Sequence, residues 1–170
     1  MLALNNIYFK LSFLVISYLI GSIPFGVIIS NLTSKVDIQK VGSGNIGATN
    51  VYRSVGKIHG IITLIADTLK GYIPVLIASL LFLKPWVVLI GLFNFLGHLY
   101  SVYLKFKGGK GIAVALGIFL AITPAAILIE IAIFIIILLK WRYVSLASIT
   151  SALTFPIVLG LFQYTSYYIM

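Results

Sequence analysis

The stretch "GIAVALGIFLAITPAAILIEIAIFIIILL", residues 111–139, decides the fold that this sequence predicts. It is apolar almost throughout and is interrupted by Thr123-Pro124. A helix crosses the hydrocarbon core of a bilayer with about 20 residues, so this stretch is too long for one straight span and short for two. We therefore expect two short helices that meet near Pro124 and take the chain across the membrane and back.

The composition supports a membrane protein. Of the 170 residues, 61% are hydrophobic and only 9% are charged, whereas a soluble domain has about 25% charged residues. Cysteine is absent, which excludes disulfides, thiolate metal sites and a cysteine nucleophile. The net charge of +9 indicates orientation in the membrane and attraction to anionic lipids or ligands rather than to nucleic acid.

Four further apolar runs are long enough to be spans. The first shows no small-residue cleavage site, so we expect it to be retained as a helix, bent at Pro24, rather than removed as a signal peptide. The predicted spans are roughly residues 8–30, 61–83, 86–104 and 149–168.

The positions of the basic residues predict the topology. Nine of the twelve cations fall in three loops, which the positive-inside rule assigns to the cytoplasm, with the N-terminus outside. With the pair at 111–139 this gives six crossings, and we expect one membrane-integral domain over residues 1–170. The nine cations are Lys35, Lys40, Arg53, Lys57, Lys105, Lys107, Lys110, Lys140 and Arg142.

The first of these loops, "GSGNIGATNVYR" at 42–53, has the composition of an anion site. Its glycines can adopt positive φ and turn backbone N–H groups inward, and Arg53 offers a planar fork suited to phosphate. The alternative is an ordinary turn-rich loop whose arginine touches lipid headgroups. The candidate binding residues are Ser43, Asn45, Gly47, Thr49 and Asn50, with Gly42 and Gly44 as further turn formers.

The stretch "KFKGGKGIA" at 105–113 has the same character. Gly108, Gly109 and Gly111 flank Lys110, and a helix that begins at Ile112 would direct its positive dipole end toward the same place. Two such loops on one membrane face predict two phosphate groups handled together.

Ionisable groups within the spans admit two interpretations. Asp67 and Lys70 are three residues apart on one helical face, and either pair with each other to pin the second span or contact substrate. His98, with Ser101 close to it, is either a hydrogen-bonded structural residue or a catalytic one. Glu130 has no evident partner in the sequence.

Taken in order, five motifs resemble one family, the bacterial acyl-phosphate:glycerol-3-phosphate acyltransferases. They are "GSIPFG" at 21–26, "GSGNIGATNVYR" at 42–53, "DTLKG" at 67–71, "GHLYSVYLKFKGGKGIA" at 97–113 and "RYVSLASITSA" at 142–152. The resemblance implies a seven-span enzyme of the bacterial inner membrane, with its active site facing the cytoplasm. Such an enzyme transfers an acyl group from acyl phosphate to the sn-1 hydroxyl of glycerol 3-phosphate, giving lysophosphatidic acid and phosphate for phospholipid biosynthesis.

The resemblance also implies residue roles and partners. Ser43, Thr49, Asn50 and Arg53 would line one phosphate site, and Lys110 among its glycines would hold phosphate from the other side. Ser145 and Ser148 are weaker candidates at the third cytoplasmic loop. No cofactor or metal is implied, and the soluble enzyme that forms acyl phosphate is an implied partner.

One family motif has no counterpart in this chain. The family carries a cytoplasmic histidine, asparagine and glutamate after one more span, whereas here no histidine follows His98 and no asparagine follows Asn94. The sequence therefore predicts a chain that is short by one helix. This leaves a non-catalytic membrane scaffold as an alternative, and a small-anion transporter as a further one.

Overall fold

A computed structural model describes residues 6–168, with side chains described as far as Phe162. The described residues are helical, joined by turns and loops. The helices are α1 (Ile7–Ser22), α2 (Phe25–Ser34), α3 (Ala48–Ser54), α4 (Lys57–Leu81), α5 (Lys84–Leu99), α6 (Ile112–Ile122), α7 (Pro124–Trp141) and α8 (Val144–Tyr168), with a 3-10 turn at Val102–Leu104.

Five helical segments of the described chain are long and apolar enough to cross a membrane. The break predicted at Thr123-Pro124 is confirmed, because α6 ends at Ile122 and α7 begins at Pro124. At 11 residues, α6 is about 17 Å long, roughly half of the bilayer core. The count of six crossings therefore stays a prediction. The five segments are Ile7–Ser34, Lys57–Leu81, Lys84–Leu104, Pro124–Trp141 and Val144–Phe162.

The chain divides into two compact units, Met1–Ile122 and Thr123–Met170. The first contains α1 to α6 and both glycine loops. Its helices approach closely at glycines, as is common in membrane bundles. A Cβ would overlap the backbone of Asn94 at Gly21, of Tyr18 at Gly97, of Val114 at Gly71 and of Thr68 at Gly117.

In the first unit, side chains from neighbouring elements donate to backbone carbonyls close to Pro24 and Pro74. Near the break at Ile23-Pro24, Ser101 Oγ donates to the Ser22 carbonyl over 2.6 Å, and Lys70 Nζ donates to the Ile23 carbonyl over 2.6 Å. Such substitution by neighbouring side chains is how a membrane bundle tolerates a broken helix. The bend predicted at Pro24 is confirmed.

Pro74 lies inside α4 and has no N–H to give to the carbonyl of Lys70, four residues earlier. Asn94 Nδ2 donates to that carbonyl over 3.0 Å and also to the Ser17 carbonyl over 3.1 Å. One buried amide on α5 therefore links α4 to α1.

In the second unit, Glu130 has a partner that the sequence did not reveal. Thr154 on α8 donates to its carboxylate, at 2.9 Å to Oε2 and 3.2 Å to Oε1. Glu130 is 5% exposed, so a buried hydrogen bond links α7 to α8.

Candidate functional site

The first glycine loop is organised around the side chain of Asn50, which is 4% exposed. Its Oδ1 accepts from the backbone N–H of Ser43 over 3.0 Å. Its Nδ2 donates to the carbonyls of Ile38, Val41 and Asn45 over 2.9–3.1 Å. Asn50 therefore holds the loop in shape, and its amide is occupied by the loop itself rather than presented to a ligand.

The expectation that these glycines form a nest of backbone N–H groups for an anion is wrong in its detail. Gly42 and Gly44 do adopt positive φ, at +57° and +69°, whereas Gly47 has φ of −81°. The N–H groups that were expected to face an anion are largely used inside the loop. Gly44 donates to the Val41 carbonyl, and Gly47 donates to the side chain of Asn45 over 2.9 Å. Three side chains of the loop that can donate, those of Ser43, Thr49 and Arg53, are exposed.

The second glycine loop folds back onto the end of α5. Lys105 and Phe106 both adopt the left-handed conformation, which reverses the chain. Gly108 then donates to the Leu99 carbonyl and Gly109 to the His98 carbonyl, each over 3.0 Å. These two N–H groups are therefore also used internally, and the glycines serve close packing. The predicted start of a helix at Ile112 is confirmed.

The two loops contact each other. A Cβ at Gly109 would overlap Nε2 of the His98 ring and lie 3.1 Å from Ile46 Cγ1. Ile46, from the first loop, is 2% exposed, and its carbonyl lies against Gly26 of α2, where a Cβ would overlap it. Residues more than 60 positions apart in sequence thus meet in one packed layer formed by α2, the two loops and the end of α5.

The site has positive charge that no acid neutralises. The chain has three acidic residues, and the structure describes all of them with other partners. Asp67 pairs with Lys70 over 2.7 Å, Asp37 pairs with Lys40 over 3.0 Å, and Glu130 accepts from a threonine. The hydrogen bond from Lys40 lowers the pKa of the Asp37 carboxyl.

Arg53 and Lys110 are exposed, with no carboxylate paired to either within the described residues. These two cations and the hydroxyls of Ser43 and Thr49 are the groups that a phosphate would require. The arrangement can bind anions at a site where the polar loops meet the apolar bundle.

Three predicted binding residues lie inside the packed unit. Asp67 and Lys70 pair with side chains only 2% exposed, which favours the structural interpretation of the pair. Ser101 is 1% exposed and binds the Ser22 carbonyl, so its hydroxyl holds the helix break rather than facing a ligand. The physical reason is the same for all three, because each satisfies a group that would otherwise be unpaired in the bundle.

The remaining predicted residues differ in setting. His98 is 4% exposed, with its ring packed against Gly109 and its carbonyl bound by the loop. Gly111 has φ of +78°, and a Cβ there would overlap the Phe95 ring. Ser145 is exposed, whereas Ser148 is buried and donates to the Val144 carbonyl over 2.8 Å. Both serines belong to the second unit, and their role stays a prediction.

Sequence reasoning missed three residues that build the site. Asn94 could have been found from Pro74, since that proline leaves the Lys70 carbonyl without its helical donor. Gly26 and Ile46 carry no such signal, because a contact between a glycine and a distant carbonyl depends on the tertiary fold.

These features define the class of protein: an all-α integral membrane protein with two basic glycine loops packed together. The chain belongs to the glycerol-3-phosphate acyltransferase family, whose family model, described as "Glycerol-3-phosphate acyltransferase", matches residues 11–170. This confirms the resemblance found in the sequence motifs.

Relatives and solved structures agree. The chain is 56% identical over 148 residues to a glycerol-3-phosphate acyltransferase of Geotalea daltonii, covering 86% of this chain and 76% of the relative. It is 52% identical over 143 residues to that of Geobacter sulfurreducens, covering 84% of this chain and 73% of the relative.

Two crystal structures of PlsY (YgiH), an integral membrane glycerol 3-phosphate acyltransferase, also match at 44% identity over 89% of this chain and 76% of PlsY. The glycerol 3-phosphate form has a TM-score of 0.86, and the lysophosphatidic acid form has a TM-score of 0.84.

Proposed function

We propose that this protein transfers an acyl group from acyl phosphate to the sn-1 hydroxyl of glycerol 3-phosphate, giving lysophosphatidic acid and inorganic phosphate. Its family, and the glycerol 3-phosphate and lysophosphatidic acid forms of the matching PlsY structures, support the acceptor and the product. Acyl phosphate as the donor follows from the resemblance of the motifs and from the presence of two basic loops.

The observation that carries this proposal is the contact between the two loops. Gly109 packs against Ile46, so Arg53 and Lys110 extend from two segments that form one layer, and neither cation is neutralised by an acid of the described residues. Two phosphate-bearing substrates, each doubly charged or nearly so, suit such a place. The cations would attract them and bring the acceptor hydroxyl toward the acyl carbonyl.

The reaction needs little from the protein beyond position and charge. The acceptor oxygen forms a bond to the acyl carbon, the bond from that carbon to the phosphate oxygen breaks, and phosphate leaves. The hydroxyl proton passes to a phosphate oxygen, either of the acceptor or of the leaving group. Arg53 and Lys110 would stabilise the charge that develops on the carbonyl and phosphate oxygens.

His98 has a buried ring that packs beneath the second loop. We assign it the task of positioning that loop. In this proposal no protein side chain acts as a general base, because a phosphate oxygen takes the hydroxyl proton. Replacing His98 by Ala should then weaken substrate binding together with turnover. A variant that binds both substrates normally but has no turnover would instead make His98 the general base.

We place the protein in the bacterial inner membrane, with both loops facing the cytoplasm, because nine of the twelve cations lie in three loops and the positive-inside rule assigns these to that side. The soluble enzyme that makes acyl phosphate would then act on the same side of the membrane and supply the donor.

The test is an assay of the purified chain, in detergent or lipid, with acyl phosphate and radiolabelled glycerol 3-phosphate. We expect lysophosphatidic acid to form, and Arg53→Ala or Lys110→Ala to lower kcat/KM about tenfold to a hundredfold, the loss of a charge-assisted contact to phosphate. Lys84→Ala, an exposed lysine at the start of α5, is the matched control and should leave the kinetics unchanged. Unchanged kinetics in the Arg53 and Lys110 variants would refute the site, and a chain that binds neither substrate would be a scaffold.

A further inference from the structure

Lys70 is the most deeply buried cation in the first unit, and its ammonium group makes two short contacts. Nζ lies 2.7 Å from Asp67 Oδ1 and donates to the Ile23 carbonyl over 2.6 Å. It also lies 5.6 Å from the centroid of the Phe25 ring, at the first residue of α2. Lys70, which belongs to a third helix, α4, therefore binds the backbone at the break between α1 and α2.

We propose that Lys70 is a positioning residue for the anion site, which it controls through α2 and Ile46 without touching substrate. This inference rests on the proposed function, since it concerns the binding of glycerol 3-phosphate at the two loops. It gives the intramembrane ion pair a task beyond helix association.

The contacts form a continuous path from Lys70 to the site. The Ile23 carbonyl that Lys70 binds precedes Pro24, and α2 begins at the next residue. At the second residue of α2, Gly26 lies directly against the Ile46 carbonyl. The Ile46 side chain in turn contacts Gly109 of the second loop. A change in the direction of α2 at the break would therefore move the first loop relative to the second.

The other groups around this path explain why a cation is needed at the break. Ser101 donates to the Ser22 carbonyl, and Asn94 donates to the Lys70 carbonyl. The backbone at the break and the backbone of Lys70 are therefore both held by other side chains. A neutral side chain of the same length would leave the Ile23 carbonyl with only the N–H of Phe25, which donates over 3.1 Å. The Asp67 carboxylate supplies the counter-charge that offsets the free-energy cost of burying an ammonium group in the membrane.

Three variants separate positioning from simple stabilisation. Lys70→Met removes the ammonium group and its contacts while keeping the length of the side chain nearly constant. Asp67→Asn keeps the lysine but removes the charge that balances its ammonium group. Lys84→Met makes the same substitution at an exposed site near the opposite end of α5 from His98.

Each purified chain is heated in detergent with a series of glycerol 3-phosphate concentrations, and the rise in Tm gives the Kd. We expect Lys70→Met to raise Kd about tenfold to a hundredfold, the scale of a displacement of about 1 Å in a site. Asp67→Asn should raise it as well, because the buried ammonium group loses its counter-charge, and Lys84→Met should leave it unchanged. If Lys70 were purely structural, Lys70→Met would lower the Tm measured without ligand and leave Kd at its original value.

The outcomes are distinct. A normal Kd in Lys70→Met overturns the positioning role while the proposed function stands. No response to glycerol 3-phosphate in the unsubstituted chain overturns both. If Lys70→Met does not fold, Gly26→Ala decides the question, because its Cβ would displace the Ile46 carbonyl without touching the ion pair. A weakened Kd in Gly26→Ala supports the path, and a normal Kd refutes it.

Discussion

Replacing Gly109 by Ala should disrupt the site without removing any of its charged side chains. Gly109 has no positive φ, so its backbone conformation tolerates a side chain, and the effect comes from contact alone. The new Cβ would overlap Nε2 of His98 and lie 3.1 Å from both His98 Cε1 and Ile46 Cγ1. Both neighbours are buried, at 4% and 2% exposure, and cannot swing into solvent.

The size of the effect follows from these distances. Carbon atoms pack at about 3.5–4.0 Å, so the loop, the imidazole ring or both must shift by about 1 Å. Overpacking of a buried site costs about 1–3 kcal/mol, and the loss of backbone freedom in the unfolded chain returns about 0.4–1 kcal/mol. We expect the free energy of unfolding to fall by about 1–2 kcal/mol. We also expect kcat/KM to fall about a hundredfold, because Lys110 moves with the loop.

The assay combines thermal unfolding in detergent with initial rates of lysophosphatidic acid formation. Gly160→Ala is the matched control, because nothing among the described residues lies within 4 Å of its added Cβ. Alanine replaces glycine there inside α8, so this variant should gain about 0.5–1 kcal/mol of stability and keep its activity. Full activity in Gly109→Ala would refute the claim that the two loops and His98 form one packed site.

Three further predictions concern the loop, the bundle and the charge. Asn50→Ala should cost about 1–3 kcal/mol of stability, seen as a lower Tm, because it leaves carbonyls and an N–H of the first loop unpaired. Asn94→Leu should cost a similar amount, because the Lys70 carbonyl loses its donor, and an unchanged Tm would contradict this. The KM for glycerol 3-phosphate should rise severalfold between about 0.05 and about 0.5 M NaCl, because exposed Arg53 and Lys110 are screened; a KM independent of salt would argue against them.

The helices were largely predictable because hydrophobic length and charge placement act locally. The break at Pro124, the bend at Pro24 and the start of α6 at Ile112 were all expected from the sequence. The pairing of Asp67 with Lys70 was one of two interpretations, and helical spacing alone brings such residues together.

The internal use of the glycine loops was not predictable in the same way. Glycine permits both an open nest of N–H groups and close packing, and the choice depends on carbonyls such as that of His98, which tertiary structure places. The partner of Glu130 was hidden for a similar reason, since Thr154 lies 24 residues away on another helix.

The most direct test of the central claim, that two basic loops form one site on one side of the membrane, uses cysteine labelling. The chain contains no cysteine, so Arg53→Cys, Lys110→Cys and Lys84→Cys each give a single reactive thiol. Membrane vesicles of known orientation are treated with a maleimide that cannot cross the bilayer. We predict that positions 53 and 110 react from the same side and position 84 from the other. Reaction of positions 53 and 110 from opposite sides would contradict the account.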